Sequence, residues 1–207
     1  MQMMENSVNI TIRPMAEADL GEVSRIQALA YGADFLEADA VIRQRWQVSP
    51  HTAWVACTEG RAEGYLVAYR SAWGCITSLH GAFEPEPAGD CLYVHDLALA
   101  PALAGHGVGR RLVARAWQAG VEAGCRLTAL VCVQQAGAFW RRLGYETAVP
   151  ADGAMQRLLQ GYGDGACYMH RRLPQEHAGS PGVAGNGAPV QPVGAVSYTH
   201  LTLPTKA

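Results

Sequence analysis

A mixed α/β fold, with helices covering both faces of one sheet, is predicted by three features of this 207-residue chain. Strand-like runs recur along it, apolar residues fall at helical spacing between them, and the order of the two reads β-α-α-β-β-β-α-β-α-β-β. The first strand starts at Val8, alternates through residue 13 and is closed by Pro14. From about Glu17 a helix sets Leu20, Val23, Ile26 and Ala30 on one face against Glu17, Glu22 and Arg25. Glu17 and Asp19 near its start suit the helix dipole. A second helix is expected over 37–47. Strands at 52–58 and 62–70, separated by Glu59-Gly60-Arg61, form a hairpin.

Residues 71–90, rich in Gly, Pro and acidic side chains, read as a long loop with room for a short strand. CLYVHDLAL at 91–99 is the strongest strand signal, and Pro101 stops it. In the third helix Leu112, Val113, Ala116, Trp117 and Gly120 oppose Arg110, Arg111, Arg115, Gln118 and Glu122. A strand at 126–133, a helix over 135–143, a sixth strand from Tyr145 and a seventh at 166–173 complete the set.

Composition narrows the function. Hydrophobic residues make up 49% and charged ones 16%, as in a globular protein, and a net charge of −2 gives no basic footprint for nucleic acid. The six cysteines contain no C-x-x-C pair, which favours reduced, structural thiols. The N-terminus lacks a signal-peptide pattern, and no apolar run reaches the roughly 18 residues of a membrane span. The expectation is a soluble, cytoplasmic protein without nucleic-acid or membrane partners. One domain is expected over 1–174, followed by a flexible Gly/Pro/Ala-rich tail over 175–195. The end, 196–207, contains VSYTHLTLPT, which resembles the translation of a sequencing adapter and is set apart as non-native.

The stretch LAGHGVGRR at 103–111 places three glycines before the third helix. It lacks the Lys-Ser/Thr of a Walker loop, and Arg110 stands where a dinucleotide fingerprint needs its third glycine. A strand, a short loop and glycines opening an amphipathic helix nevertheless gather backbone N–H groups at a positive helix end, a ready anion site.

With its flanks, LALAPALAGHGVGRRLVARA resembles the acetyl-CoA-binding segment of the GNAT acetyltransferase superfamily, a strand, then [QR]-x-x-G-x-[GA], then a helix. Gly107 and Gly109 match the glycines, and Ala104 stands where Gln or Arg is usual. AGAFWRRLGYE at 136–146 is similar to the family's A-x-x-x-[YW]-x-x-x-G-[FY] segment, and the resemblance covers about 8–173. It implies a mostly antiparallel six- to seven-stranded sheet, splayed between strands four and five where acetyl-CoA enters. It also implies transfer of an acetyl group to a primary amine by direct attack in a ternary complex.

The cofactor segment would comprise Leu97, Ala98, Leu99, Ala104, Gly105, His106, Gly107, Val108, Gly109 and Arg110, with Trp140 packed beside it. His95 is the expected base, because its ordinary pKa near 6.5 suits proton removal. Strand alternation sets it with Tyr93, Leu97 and Leu99, leaving the alternative base, Asp96, on the opposite face. Many relatives have a Tyr acid where this chain has Trp140, so either another hydroxyl acts, with Tyr145 and Tyr168 as candidates, or the thiol takes its proton from water. Phe35, Glu37 and Tyr93 are candidate acceptor residues. Cys91 and His95 lack further ligands at usable spacing, so no metal is expected. The acceptor is expected to be a small-molecule amine. Protein amines, or acetyl-CoA binding without turnover, are the alternatives, and the sequence leaves the oligomeric state open, a homodimer among the options.

Overall fold

The structure, a computed structural model, describes residues 9–133 and 136–175. Seven strands form one sheet in the order β1-β2-β3-β4-β5-β7-β6. They are β1 (Ile10–Pro14), β2 (Ala53–Thr58), β3 (Arg61–Ser71), β4 (Cys91–Leu99), β5 (Leu127–Cys132), β6 (Glu146–Ala148) and β7 (Cys167–Arg172). Every pairing is antiparallel except β4–β5. That parallel pair is short: Cys91–Tyr93 lie against Leu127–Ala129, and both strands then continue unpaired with each other. The expected splay is therefore present, and the strand count is seven.

The helices are α1 (Leu20–Ala30), α2 (Asp39–Val48), α3 (Val108–Glu122), α4 (Gly137–Arg142) and α5 (Gly153–Gln160). On one face, Leu112, Val113 and Ala116 of α3 pack onto Leu66, Leu92, Val94 and Leu130, with Trp140 of α4 in the same cluster. On the other face, Val23 and Ile26 of α1 and Ile42 of α2 close over Val55, Tyr65 and Ala98. Met155, Leu158 and Leu159 of α5 join Tyr69, Tyr93 and Tyr168 on that same side.

Two elements differ from the sequence expectation. α5 was not anticipated, although Met155, Leu158 and Leu159 have helical spacing and Asp152 caps it, accepting from the Ala154 N–H at 2.7 Å. Residues 72–90 contain neither strand nor helix, yet Ile76 and Phe83 are buried. The expected start of β1 at Val8, the 196–207 end and the tail from 176 onward lie outside the described residues.

Candidate active site

The site is built on an irregularity in β4. Val67 pairs with Asp96 and Ala68 with Val94, so His95 is an extra residue, a β-bulge. An extra residue shifts the alternation by one position. Leu92, Val94, Leu97 and Leu99 pack with the α3 cluster, whereas Tyr93 and Ala98 pack on the α1–α2 side. His95 and Asp96 both reach residues of that same α1–α2 side. This corrects two expectations: His95 does not share a face with Leu97 and Leu99, and Asp96 is not turned away from His95.

Around the bulge lies a buried polar cluster. Arg45, on the apolar stripe of α2 with Ile42 and Trp46, is only 3% exposed. Its Nη1 bonds Glu37 and lies 2.6 Å from His95 Nε2, while its Nε and Nη2 donate to Gly81 O at 3.0 and 2.6 Å. Phe83 completes the enclosure, 5.0 Å below the guanidinium and edge-on to the His95 ring at 5.0 Å. Gln27 Nε2 donates to Glu37 at 3.4 Å and to Asp96 at 3.3 Å, bridging the two carboxylates. Asp96 also accepts from the hydroxyls of Tyr31 and Tyr65, and the Tyr31 hydroxyl lies 3.1 Å from Leu97 O.

These surroundings separate the two carboxylates. Burial alone would raise Glu37, but His95 and Arg45 outweigh it and bring the group to about 2. His95 Nε2 is 3.7 Å from Glu37 Oε1, too long for a hydrogen bond, so Arg45 is the effective partner. Asp96 has no bonded cation, and burial, opposed by its two tyrosine bonds, holds it above the ordinary aspartate range. Burial lowers the His95 ring below its usual value.

At the other end of β4, the short 3₁₀ turn Pro101–Leu103 leads into the glycine stretch. Ala104, Gly105, His106, Gly107 and Arg110 are exposed, and Val108 and Gly109 are buried. Gly107 caps α3 at φ 67°, a left-handed conformation that suits glycine. A Cβ on Gly109 would sit 3.3 Å from Phe139, so this glycine lets α3 and α4 approach closely. The first-turn N–H groups of α3 lack intrahelical acceptors. Beside them opens a basic cleft of about 410 Å³, lined by Arg110, Arg142 and Arg171 with Trp117 and Phe139.

A family model described as the Acetyltransferase (GNAT) family matches residues 20–145, more than half of the chain. The chain belongs to the GNAT acetyltransferase family. Solved structures agree on the fold. Ard1 from Thermoplasma volcanium superposes with a TM-score of 0.61 at 16% identity, covering 80% of this chain and 99% of that one. A phosphinothricin acetyltransferase from Sinorhizobium meliloti, in complex with AcCoA, gives 0.59 at 21% identity, covering 84% and 93%. The ribosomal-protein-S18-alanine N-acetyltransferase from Escherichia coli gives 0.56 at 15% identity, covering 82% and 97%. A comparison with curated proteins finds no match.

GNAT enzymes take their acetyl group from acetyl-CoA, and the exposed helix start with its basic cleft has the chemistry to receive such an anion. Both candidate general acids are held inside the fold. The Tyr145 hydroxyl is buried on the α3 side, 3.0 Å from both Thr128 Oγ1 and Trp117 Nε1, and burial pushes it up to about 12. His95 and Asp96 lie on the other face of the sheet from this hydroxyl. Trp140 is likewise core, edge-on to Phe139 and Tyr145 at 4.9 and 5.1 Å. Tyr168 is buried and receives the Gly74 N–H at 3.1 Å.

Of the acceptor candidates, Phe35 lines a second cleft, of about 350 Å³, with Leu79, Val133, Tyr162 and Asp164. Glu37 is engaged by Arg45, and Tyr93 is buried beneath His95. Sequence reading missed Gln27, Tyr31, Arg45 and Tyr65. The signal for two of them was a polar residue on an apolar helical stripe: Gln27 after Val23, and Arg45 between Ile42 and Trp46. Among the described residues, no group of three His, Cys, Asp or Glu side chains is placed to hold a metal, and no helix is long and apolar enough to cross a membrane.

Proposed function

We propose that this GNAT protein acetylates a primary amine of a small molecule, by direct attack on acetyl-CoA in a ternary complex. The observation that carries the reading is the anchoring of residues 71–90 over the acceptor side. Arg45 binds Gly81 O, and the Tyr162 hydroxyl donates to Thr77 O at 2.6 Å. Glu86 N–H bonds Arg70 O at 2.9 Å, and Arg70 Nε bonds Gly89 O at 2.6 Å. With Ile76 and Phe83 buried, the segment is packed down on the acceptor side, which favours a compact acceptor over an extended peptide. The Phe35–Asp164 cleft, which Leu79 of this segment also lines, has a volume in the range of small-molecule sites.

The acetyl-CoA pyrophosphate is assigned to the N–H groups from Gly105 to Arg110, with the arginine cleft beside them. The thioester would reach the reacting amine along Leu97–Leu99, and Asp96 and His95 are the candidate catalytic groups on the acceptor side. Acetyl-CoA supplies the activated thioester, and the protein's part is to align an amine with it and keep bulk water out. The test measures CoA release from acetyl-CoA with small amines and, separately, with peptides bearing a free N-terminus or lysine. Turnover with small amines supports the proposal. Turnover with peptides alone overturns it, and acetyl-CoA binding without turnover on either panel makes the protein a binder.

A further inference from the structure

We infer that Arg45 is a positioning residue that fixes the His95 ring in its Nδ1–H tautomer, so that His95 serves the reaction as a hydrogen-bond donor and not as its base. The inference rests on the proposed acetyl transfer for its catalytic part and on geometry alone for the tautomer.

A guanidinium keeps its protons at every pH a folded protein meets, so it can only donate. Nη1 of Arg45 carries two hydrogens and faces two groups, Glu37 Oε2 and, at 2.6 Å, His95 Nε2. Nε2 must therefore present its lone pair. A neutral imidazole with its lone pair on Nε2 carries its hydrogen on Nδ1. The groups around the ring agree. Glu37, from the α1–α2 link, has its Oε2 bonded by Arg45, and its Oε1 is out of hydrogen-bond range of Nε2. Asp96, next in β4, is taken up by Tyr31, Tyr65 and Gln27. Phe83 and Tyr93 present only ring surfaces to His95.

This tautomer leaves a donor without a partner. His95 Nδ1 is buried without a hydrogen-bond partner among the described residues, in a side chain only 6% exposed. A buried N–H without an acceptor is costly, and a bound reactant oxygen would satisfy it. The only lone pair on which the ring could take a proton points at a cation. A base built this way would have to expel Arg45 from its own ion pair.

The transfer balances without a histidine base. The acceptor ammonium releases one proton to solvent, and its nitrogen lone pair forms the N–C bond while the carbonyl electron pair moves to oxygen. Reforming the carbonyl breaks the C–S bond, and the second nitrogen proton passes to the departing thiolate, giving amide and CoA thiol. A reactant oxygen that reaches the Nδ1–H would receive a hydrogen bond as charge develops on it.

Two measurements test this. The first is a long-range ¹H–¹⁵N spectrum of the histidine rings in the intact protein, which needs neither turnover nor a variant. A neutral Nδ1–H tautomer of His95, unchanged between about pH 5 and 9, is expected; an Nε2–H tautomer, or a ring that protonates in that range, overturns the inference. The second uses substitutions that separate donor from base. The amide nitrogen of Asn sits near the place of Nδ1 and can donate, but cannot take up a proton. His95→Ala should lower kcat about 10²-fold, whereas His95→Asn should stay within about tenfold of the parent, with an unshifted pH profile. Equal losses in the two variants overturn the donor role. If no amine is turned over, the proposed function fails while the spectrum still decides the tautomer.

Discussion

The donor and acceptor sides of β4 are held together by different physics. On the donor side, α3 lies on Leu66, Leu92, Val94 and Leu130 through apolar contact, and the anion site at its start consists of backbone. On the acceptor side, seven polar side chains from five stretches of chain interlock: Gln27, Tyr31, Glu37, Arg45, Tyr65, His95 and Asp96. The donor side therefore tolerates changes of side chain as long as the backbone path survives. The acceptor side does not, because each member leaves a buried partner unsatisfied when removed.

The largest expected effect lies on the acceptor side. Glu37→Ala strands a buried guanidinium and should lower unfolding stability by about 3–5 kcal/mol, read from urea denaturation. The parent should lose the same contribution in acid. A carboxyl depressed to about 2 stabilises fully above the ordinary glutamate range and loses that contribution as pH falls toward 2. Asp96 is shifted upward, so its protonation favours the folded state and offsets part of the loss. If Glu37→Ala follows the acid profile of the parent, the ion pair contributes nothing and the contrast between the two sides collapses.

A donor-side change should show the reverse pattern. Gly107→Val forces a β-branched residue to φ 67°, at a strain of about 1–2 kcal/mol, while nothing within 4 Å obstructs its Cβ. Stability should fall modestly and acetyl-CoA affinity by at least about tenfold, measured by calorimetry. Unchanged affinity would remove the glycine stretch from the cofactor site. The smallest effect is expected for Tyr145→Phe, about 1 kcal/mol from its bonds to Thr128 and Trp117, with acetyl transfer unaltered. A tenfold fall in kcat would return Tyr145 to the role of general acid.

The same contrast explains what the sequence made legible. Glycines before a helix and an alternating strand are local patterns, and they located β4, α3 and the family. The acceptor cluster joins residues up to 69 positions apart, as in the Gln27–Asp96 bond, and no local spacing records such a meeting. The bulge was hidden for a related reason. CLYVHDLAL alternates plausibly from end to end, and only its pairing with β3 shows that one residue is surplus. The misplacement of Asp96 and of Leu97 and Leu99 followed from that one uncounted residue.

That surplus has a consequence for how this enzyme can change. Because His95 pairs with nothing across the β3–β4 ladder, the residues on either side of it keep their faces whatever occupies the position. The sheet would close without it. The hold on this position is exerted by side chains, Arg45 and Phe83, and the backbone ladder makes no claim on it.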